Sequence, residues 1–383
     1  VSGRSGRFVQ AVCTAALVAS ATLVLPAPMA AAAPADPADQ PVSALLSQLQ
    51  TLYQKAEEAT ETYNATEEKL KKQRAKVKKL NEDLADARVA LDGSRDDAGR
   101  VAREQYRGVD NPLSPYMRFL LSGNARQALD QGHELKRAAG RRAATVERLT
   151  GSEKRAALLA SKARDALNVQ EALAAKQKQQ RDTVKKRLAA VERLLASMTG
   201  EQLERLRKLE QQGITEAQRK LVDSGKLGGS ANPSEVGGKA VRYAFQQVGK
   251  PYVWGASGPD SFDCSGLTSQ AWAHAGGAIP RTSQEQWKTL PKVPLNELRP
   301  GDLVLYFGGA THVAIYIGNG QVIQAPRPGA SVKVSPIASN PLLGAVRPDA
   351  GKAPLRAYVP PKAPEGAGAG SDAGYGSAAS PGR

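Results

Sequence analysis

The feature that most constrains this chain is a repeat of apolar positions spaced 4-3-4-3, at Leu45, Leu49, Leu52, Ala56, Ala59, Tyr63, Thr66, Leu70, Gln73, Val77, Leu80, Leu84, Ala87 and Leu91. Twelve of these fourteen are apolar, with Lys, Glu and Arg between them, which is the pattern of a coiled-coil seam. At 1.5 Å per residue the segment predicts a rod about 70 Å long. A helix with one narrow apolar stripe builds no globular core, so it must pack on another helix. Asn111-Pro112 and Pro115 stop the first helix. Helical character resumes near His133 and runs to about Val222, its seam clearest at Val184, Leu188, Val191, Leu195 and Met198. The expectation is an antiparallel helical hairpin over 42–222, broken near 108–132 by an apolar tip of Tyr116, Met117, Phe119, Leu120 and Leu121. A parallel coil between two chains is the competing arrangement.

Segments on either side of the rod have other compositions. Residues 1–33 run from Arg4 and Arg7 through an apolar stretch, Val9–Leu25, to Met29-Ala30-Ala31-Ala32-Ala33, the order of a secretory signal peptide. Val1 in the initiator position fits a bacterial GTG start. The expected localisation is therefore secreted and cell-wall associated, in a bacterium. Residues 223–237 read as a Gly/Ser linker, and 348–383, rich in Pro, Gly and Ala, as a disordered tail. Between them lies a domain at 238–347. Ten of the chain's 18 aromatic residues fall between Tyr243 and Tyr316, whereas 41–230 holds five. An amphipathic helix at Ala240–Val248, a helix after Cys264 and strands at Leu303–Phe307, His312–Ile317 and Gln321–Ala325 predict an α+β domain.

Charge excludes little. The net charge is +16, with 37 Lys and Arg against 26 Asp and Glu over 41–230. Any polyanion suits such a surface. Export makes nucleic acid a poor partner, and the run Lys71–Lys79 is read as a solvated coiled-coil face. No cofactor and no metal site is expected.

Removing the signal peptide removes Cys13 and leaves Cys264 as the single cysteine, which cannot form an internal disulfide. Cys264 sits where a loop gives way to a helix, a position whose free N–H groups favour a thiolate nucleophile. Its base must be a histidine. His133 lies in the rod, and His274 follows on the nucleophile's own helix about 15 Å along the axis. His312 remains. The strand after it turns at Gly318-Asn319-Gly320; with a three-residue loop, Ala314 faces Gln324, and His312 and Gln324 share a face. A two-residue turn would put them on opposite faces. The Gln324 carbonyl is then placed to orient the imidazole.

The motifs Tyr252-Val253-Trp254-Gly255, Asp263-Cys264-Ser265-Gly266, Arg281-Thr282-Ser283, Pro300-Gly301-Asp302-Leu303 and His312–Gly318 together resemble the NlpC/P60 cysteine peptidases of bacterial cell walls. The resemblance covers about 110 residues and implies a papain-like α+β fold after the coiled-coil hairpin. It also implies cleavage of the D-glutamyl–diamino acid bond in peptidoglycan stem peptides. By it, Cys264 is the nucleophile, His312 the base and Gln324 the orienting third residue, where many members have His, Glu or Asn. Tyr252, Asp263 and Ser265 match positions that hold the N-terminal part of the substrate in some relatives. Trp254 and Arg281 join them as substrate-binding candidates. The layout of rod plus peptidase domain is similar to secreted hydrolases governed by membrane cell-division complexes, which implies such a partner docking on the coiled coil. Glu201–Leu227, with Leu203, Leu206 and Leu209 on one side, is expected to lie across the active-site groove and inhibit it. The alternatives are an amidase or acyltransferase of the same superfamily, and a non-catalytic, wall-binding scaffold.

Overall fold

A computed structural model describes residues 41–109, 117, 125–228 and 231–368. The expected signal peptide, the tip residues other than Met117, and 369–383 lie outside the described residues. Helix α1 (Val42–Val109) and helix α2 (Ala125–Ala196) form the two arms of the hairpin. Their pairing is antiparallel. Gln73 Nε2 donates to the Ala166 carbonyl at 2.7 Å, Gln177 to the Tyr63 hydroxyl at 3.4 Å, and the Ser94 and Ser152 hydroxyls meet at 3.1 Å. Numbers that rise along one arm fall along the other. With 68 residues, α1 is about 100 Å long. Every one of its fourteen seam positions is buried or half-buried.

The rod departs from the sequence expectation in two ways. First, the second arm does not run to Val222. It stops at Ala196, and Thr199 starts a third helix, α3 (Gly200–Asp223). The Thr199 hydroxyl accepts from Gln202 N at 3.2 Å while Thr199 N donates to Gln202 Oε1 at 2.9 Å, a capping box that satisfies two otherwise orphaned groups. Helix α3 folds back so that Leu206 packs with Leu45, Leu49, Tyr53, Val191, Leu194 and Met198. The base of the rod is thus three helices thick. Second, α1 is buried on another strip beside its seam, made of Tyr53, Glu57, Thr60, Glu61 and Asn64. These residues sit at helical spacing on one face. That strip faces the C-terminal domain.

In the C-terminal domain, Ser234 caps α4 (Glu235–Gln246), which packs against α5 (Cys264–His274); the short α6 (Ser283–Thr289) follows. Six strands come next: β1 (Lys292–Val293), β2 (Leu303–Tyr306), β3 (His312–Gly318), β4 (Gln321–Gln324), β5 (Lys333–Pro336) and β6 (Leu342–Val346). They make one antiparallel sheet in the order β1-β6-β2-β3-β4-β5. Alternation divides it cleanly. Leu303, Leu305, Val313, Ile315 and Ile323 pack against α4 and α5, forming the main core with Trp272, Phe262 and Val241. Val304, Tyr306, Ala314, Tyr316 and Val322 face the other way, where Leu221 at the end of α3 and Leu227 cover part of them.

Two segments read as loose are tied down. In the expected Gly/Ser linker, Leu227 packs on the sheet and Ser234 caps α4. The described part of the tail, 348–368, is tied to the domain: Arg299 pairs with Asp349 at 2.9 Å, Leu355 N donates to the Pro233 carbonyl and Val334 N to the Ala367 carbonyl. Composition alone misses this, because such a segment is held by backbone hydrogen bonds and one buried ion pair rather than by apolar bulk.

Leu206 is fully buried where the three helices meet. Leu206→Ala should therefore cost about 2–5 kcal/mol. Urea unfolding followed by far-ultraviolet circular dichroism checks it; a change within error would mean that α3 is not anchored there.

Candidate active site

Asp263 organises the nucleophile loop. It is the N-cap of α5, and its Oδ1 accepts from Gly266 N at 2.6 Å, a bond that starts the helix one residue before Cys264. Its Oδ2 accepts from Gly255 N at 2.9 Å, which fastens the Tyr252–Gly255 loop alongside. Arg281 grips both oxygens, at 3.0 and 2.7 Å, and also reaches the Ser265 hydroxyl at 2.8 Å. Gly266 has to be glycine: a Cβ there would stand 2.2 Å from the Ala256 carbonyl oxygen. Asp263, Ser265 and Cys264 are buried, as is Tyr252, and Trp254 lies on the same loop, half-buried.

Helix α5 packs on β3, the strand that His312 opens. The Cys264 sulfur lies within reach of the backbone N–H of Val313, the residue after His312. Across the sheet, Ile315 pairs with Ile323 and Tyr316 with Val322, so Ala314 falls opposite Gln324 as the three-residue loop requires. At the turn itself the register shifts: Gly318 faces Gln321, through a bulge in which Gly318, Asn319 and Gly320 all have positive φ. His312 Nε2 donates to Gln324 Oε1 at 2.7 Å, and Gln324 Nε2 in turn donates to the Ser339 hydroxyl at 3.3 Å. This fixes the ring so that Nδ1 is the nitrogen left for other chemistry. The Tyr306 ring lies against the imidazole at 5.6 Å between centroids.

Onto this arrangement α1 lays its second strip. Glu57 Oε1 is 3.5 Å from His312 Nδ1. Glu61 Oε1 accepts from the Ser265 hydroxyl at 2.6 Å and stands 3.9 Å from the Cys264 thiol, while its Oε2 accepts from Ser283 N at 2.7 Å. Asn64 Nδ2 donates to Asp263 Oδ2 at 3.0 Å, and Tyr63 meets Trp254 edge to face, centroids 5.2 Å apart. Helix α3 sits to one side: Glu210 pairs with Arg327, Gln218 Nε2 donates to the Gly320 carbonyl, and Ala338 N donates to Gln218 Oε1. The segment over Cys264 and His312 is therefore α1, while Glu201–Leu227, expected to lie across the groove, reaches it only at Arg327 through Glu210. Leu206 and Leu203 spend their apolar face on the rod's own base, and Leu209 is exposed.

Burial and these carboxylates set the electrostatics. The Cys264 thiol is pushed well above its ordinary value, first by burial and then by Glu61, Asp263 and Glu57. The helix N-terminus does not win here, because burial, reinforced by the neighbouring carboxyl groups, opposes a thiolate more strongly than one turn of helix favours it. Burial, with Asp263 adding to it, lifts the Glu61 carboxyl to about 7, although Ser265, Arg281 and Ser283 pull the other way. Glu57 is raised as well, chiefly by burial.

All eight site residues expected from the sequence thus come together: Cys264, His312, Gln324, Tyr252, Trp254, Asp263, Ser265 and Arg281. Sequence reasoning missed Glu57, Glu61 and Asn64 of α1, the Ser283 amide and Arg327. One signal was available for the first three. Within the heptads, Glu57, Glu61 and Asn64 repeat on a single face adjacent to the apolar seam.

The sequence pattern of the NlpC/P60 family matches residues 249–344. A probable endopeptidase of Corynebacterium glutamicum (strain R) is 43% identical over 118 residues, 30% of this chain and 56% of that one. This chain spans about half the length of the first curated relatives that it matches. Among solved structures, the NlpC/p60 domain of the peptidoglycan hydrolase SagA is 36% identical, covering 29% of this chain and 97% of that chain with a TM-score of 0.28. RipD of Mycobacterium tuberculosis, described as a non-catalytic NlpC/p60 domain protein adapted to peptidoglycan binding, is 32% identical, covering 30% of this chain and 98% of that chain with a TM-score of 0.28. Residues 249–344 thus carry an NlpC/P60 domain, of papain-like α+β fold, behind a long helical hairpin.

Proposed function

We propose that this chain is a secreted, wall-associated peptidoglycan endopeptidase, cleaving the D-glutamyl–diamino acid bond of stem peptides and held shut by its own rod. The observation that supports the reading is the Cys264 thiol at the start of α5 beside the backbone of Val313, the residue that follows a His312 whose Nε2 is tied at 2.7 Å to Gln324. In the open enzyme His312 Nδ1 takes the thiol proton and the sulfur attacks the carbonyl carbon of the scissile amide. The Cys264 backbone N–H, unpartnered within its helix as a first-turn donor, stabilises the oxyanion. Collapse expels the amine, which takes the proton from His312, and leaves a thioester. Water, losing a proton to Nδ1, then releases the acid. Gln324 holds the ring throughout but adds a dipole where relatives with a carboxylate add a charge. A purely binding role, like the one RipD's description carries, would leave this Cys–His–Gln arrangement without a task.

The rod accounts for restraint. Glu57 stands at the nitrogen that must accept the thiol proton, and Glu61 covers the sulfur, so substrate and α1 compete for one groove. A partner that shifts the rod, a membrane cell-division complex on this reading, would release it. Exposed Tyr106, Leu129 and Val146 toward the rod's far end give such a partner apolar surface.

Three outcomes are expected. Against purified muropeptides, with products weighed by mass spectrometry, Glu57→Ala/Glu61→Ala should cleave at least ~10-fold faster than the unaltered chain, and adding Cys264→Ala should abolish cleavage. Cleavage without Cys264 would remove the peptidase reading, and equal rates with and without the two carboxylates would remove the restraint. In that open variant, Gln324→Ala should lower kcat by ~10–100-fold with KM little changed, and Gln324→Glu should preserve it; an unaltered kcat would take Gln324 out of the mechanism.

The third is a pH dependence. Glu61 titrates at about 7 when docked against Asp263, Cys264 and Arg281, and at an ordinary carboxyl value when withdrawn. Docking therefore takes up a proton: its contribution is complete below about pH 4.5 and is lost as pH rises through about 7. Glu57, raised by burial although Arg327 pulls the other way, and the raised Cys264 thiol act in the same sense. Acrylamide quenching of Trp254, which Tyr63 shields, should increase from pH 5 to pH 8 in the unaltered chain and stay flat in Glu57→Gln/Glu61→Gln. A flat profile in both would refute the proton-linked contact.

A further inference from the structure

The rod and the α3 at its base are basic, yet the acidic or basic side chains they set against His312, Ser265 and Arg327 are carboxyl groups, Glu57, Glu61 and Glu210. Helix α1 also serves as a ruler along the groove. Tyr53, Glu57 and Glu61 are successive turns on one face, each about 6 Å apart. The Arg327 guanidinium lies over the Tyr53 ring, 4.5 Å from its centroid; His312 Nδ1 lies at Glu57, Cys264 and Ser265 at Glu61, and Asp263 at Asn64. The groove therefore runs in the order Arg327, His312, Cys264, Asp263. Arg327 is one helical turn beyond the imidazole, on the side away from Asp263.

Chemistry assigns the two sides. The departing amine must receive its proton from His312, so the leaving residue occupies the His312 side and the acyl half the Asp263 side. Beyond His312 the docked rod and the sheet enclose a cleft of about 780 Å³, whose wall on the C-terminal domain is Phe307, Arg327 and the segment 338–342. Arg327 is its cation from the C-terminal domain, and a carboxylate, that of Glu210, holds it in the closed state; both side chains are largely buried. A guanidinium so placed suits a second carboxylate equally well.

We propose that Arg327 is a specificity residue, binding the side-chain carboxylate of the leaving residue, so that the enzyme prefers a diamino dicarboxylic acid at that position over lysine or an amidated residue. Glu210 occupies its place while the rod is docked. This assignment rests on the peptidase reading above.

The test uses the full chain opened by Glu57→Ala/Glu61→Ala/Glu210→Ala, and two stem tetrapeptides that differ only in the third residue's side-chain terminus, free carboxyl or primary amide. With the α-carboxyl engaged in a peptide bond in both, only the side-chain charge differs. The open variant should show a kcat/KM ~10–100-fold higher for the carboxylate peptide. Adding Arg327→Ala should collapse that ratio toward one, mainly through KM, and Arg327→Lys should restore part of it. Because the ratio is internal to each variant, partial misfolding does not move it. Equal cleavage of the two peptides by the open variant, or a ratio that survives Arg327→Ala, would leave Arg327 a latch for the rod only and overturn the proposal. Cleavage of neither peptide by the open variant would instead bring down the peptidase reading, and this assignment with it.

Discussion

One buried carboxylate, Asp263, holds the structure to its task. It is fully buried and yet fully occupied: Gly266 N begins the nucleophile helix on it, Gly255 N fastens the neighbouring loop, Arg281 binds both oxygens and Asn64 reaches it from the rod. A charge taken out of water is tolerated only when its lone pairs are all engaged. Removing one partner of such a pair costs about 3–5 kcal/mol, because the other charge is left buried. The position of Cys264, the direction of Arg281 and the seat for α1 therefore share one electrostatic solution.

The same low dielectric gives the rod its hold. Glu61, buried against Asp263 and the Cys264 thiol, stays there by accepting hydrogen bonds from Ser265 and Ser283, and both it and Glu57, which is buried against His312, are biased toward taking up protons. A contact of this kind is strong in geometry but modest in net free energy, since desolvating two carboxyls offsets much of what the hydrogen bonds supply. That balance suits a reversible cover. The apolar part of the grip lies elsewhere, at the three-helix base around Leu206 and where Leu221 and Leu227 rest on the sheet, so the cover is anchored outside the groove it occupies.

How much of this was legible in the sequence depended on the range of the interaction. Local patterns carried well: the seam from Leu45 to Leu91, the helix start at Asp263-Cys264, and the hairpin that sets His312 opposite the Gln324 side of β4. The capping box Thr199–Gln202 was equally local and was overlooked inside a long helical pattern, so α3 was read as a continuation of α2. What the sequence concealed were contacts 199 to 222 residues apart, from Asn64 to Asp263 and from Glu61 to Ser283. A glutamate on a charged rod looks solvated until a partner surface is known. The tail to residue 368 was hidden for a similar reason, since its order comes from backbone pairing with Pro233 and Val334.

The central claim is that buried carboxylates of α1 silence the Cys264 thiol. Its most direct measure is the second-order rate of Cys264 alkylation by iodoacetamide, located by peptide mass mapping, in the full chain with and without Glu57 and Glu61 at one fixed pH. The account predicts slow modification in the unaltered chain and a rate at least ~10-fold higher once both carboxylates are replaced by alanine. Equal rates in the two proteins would contradict it.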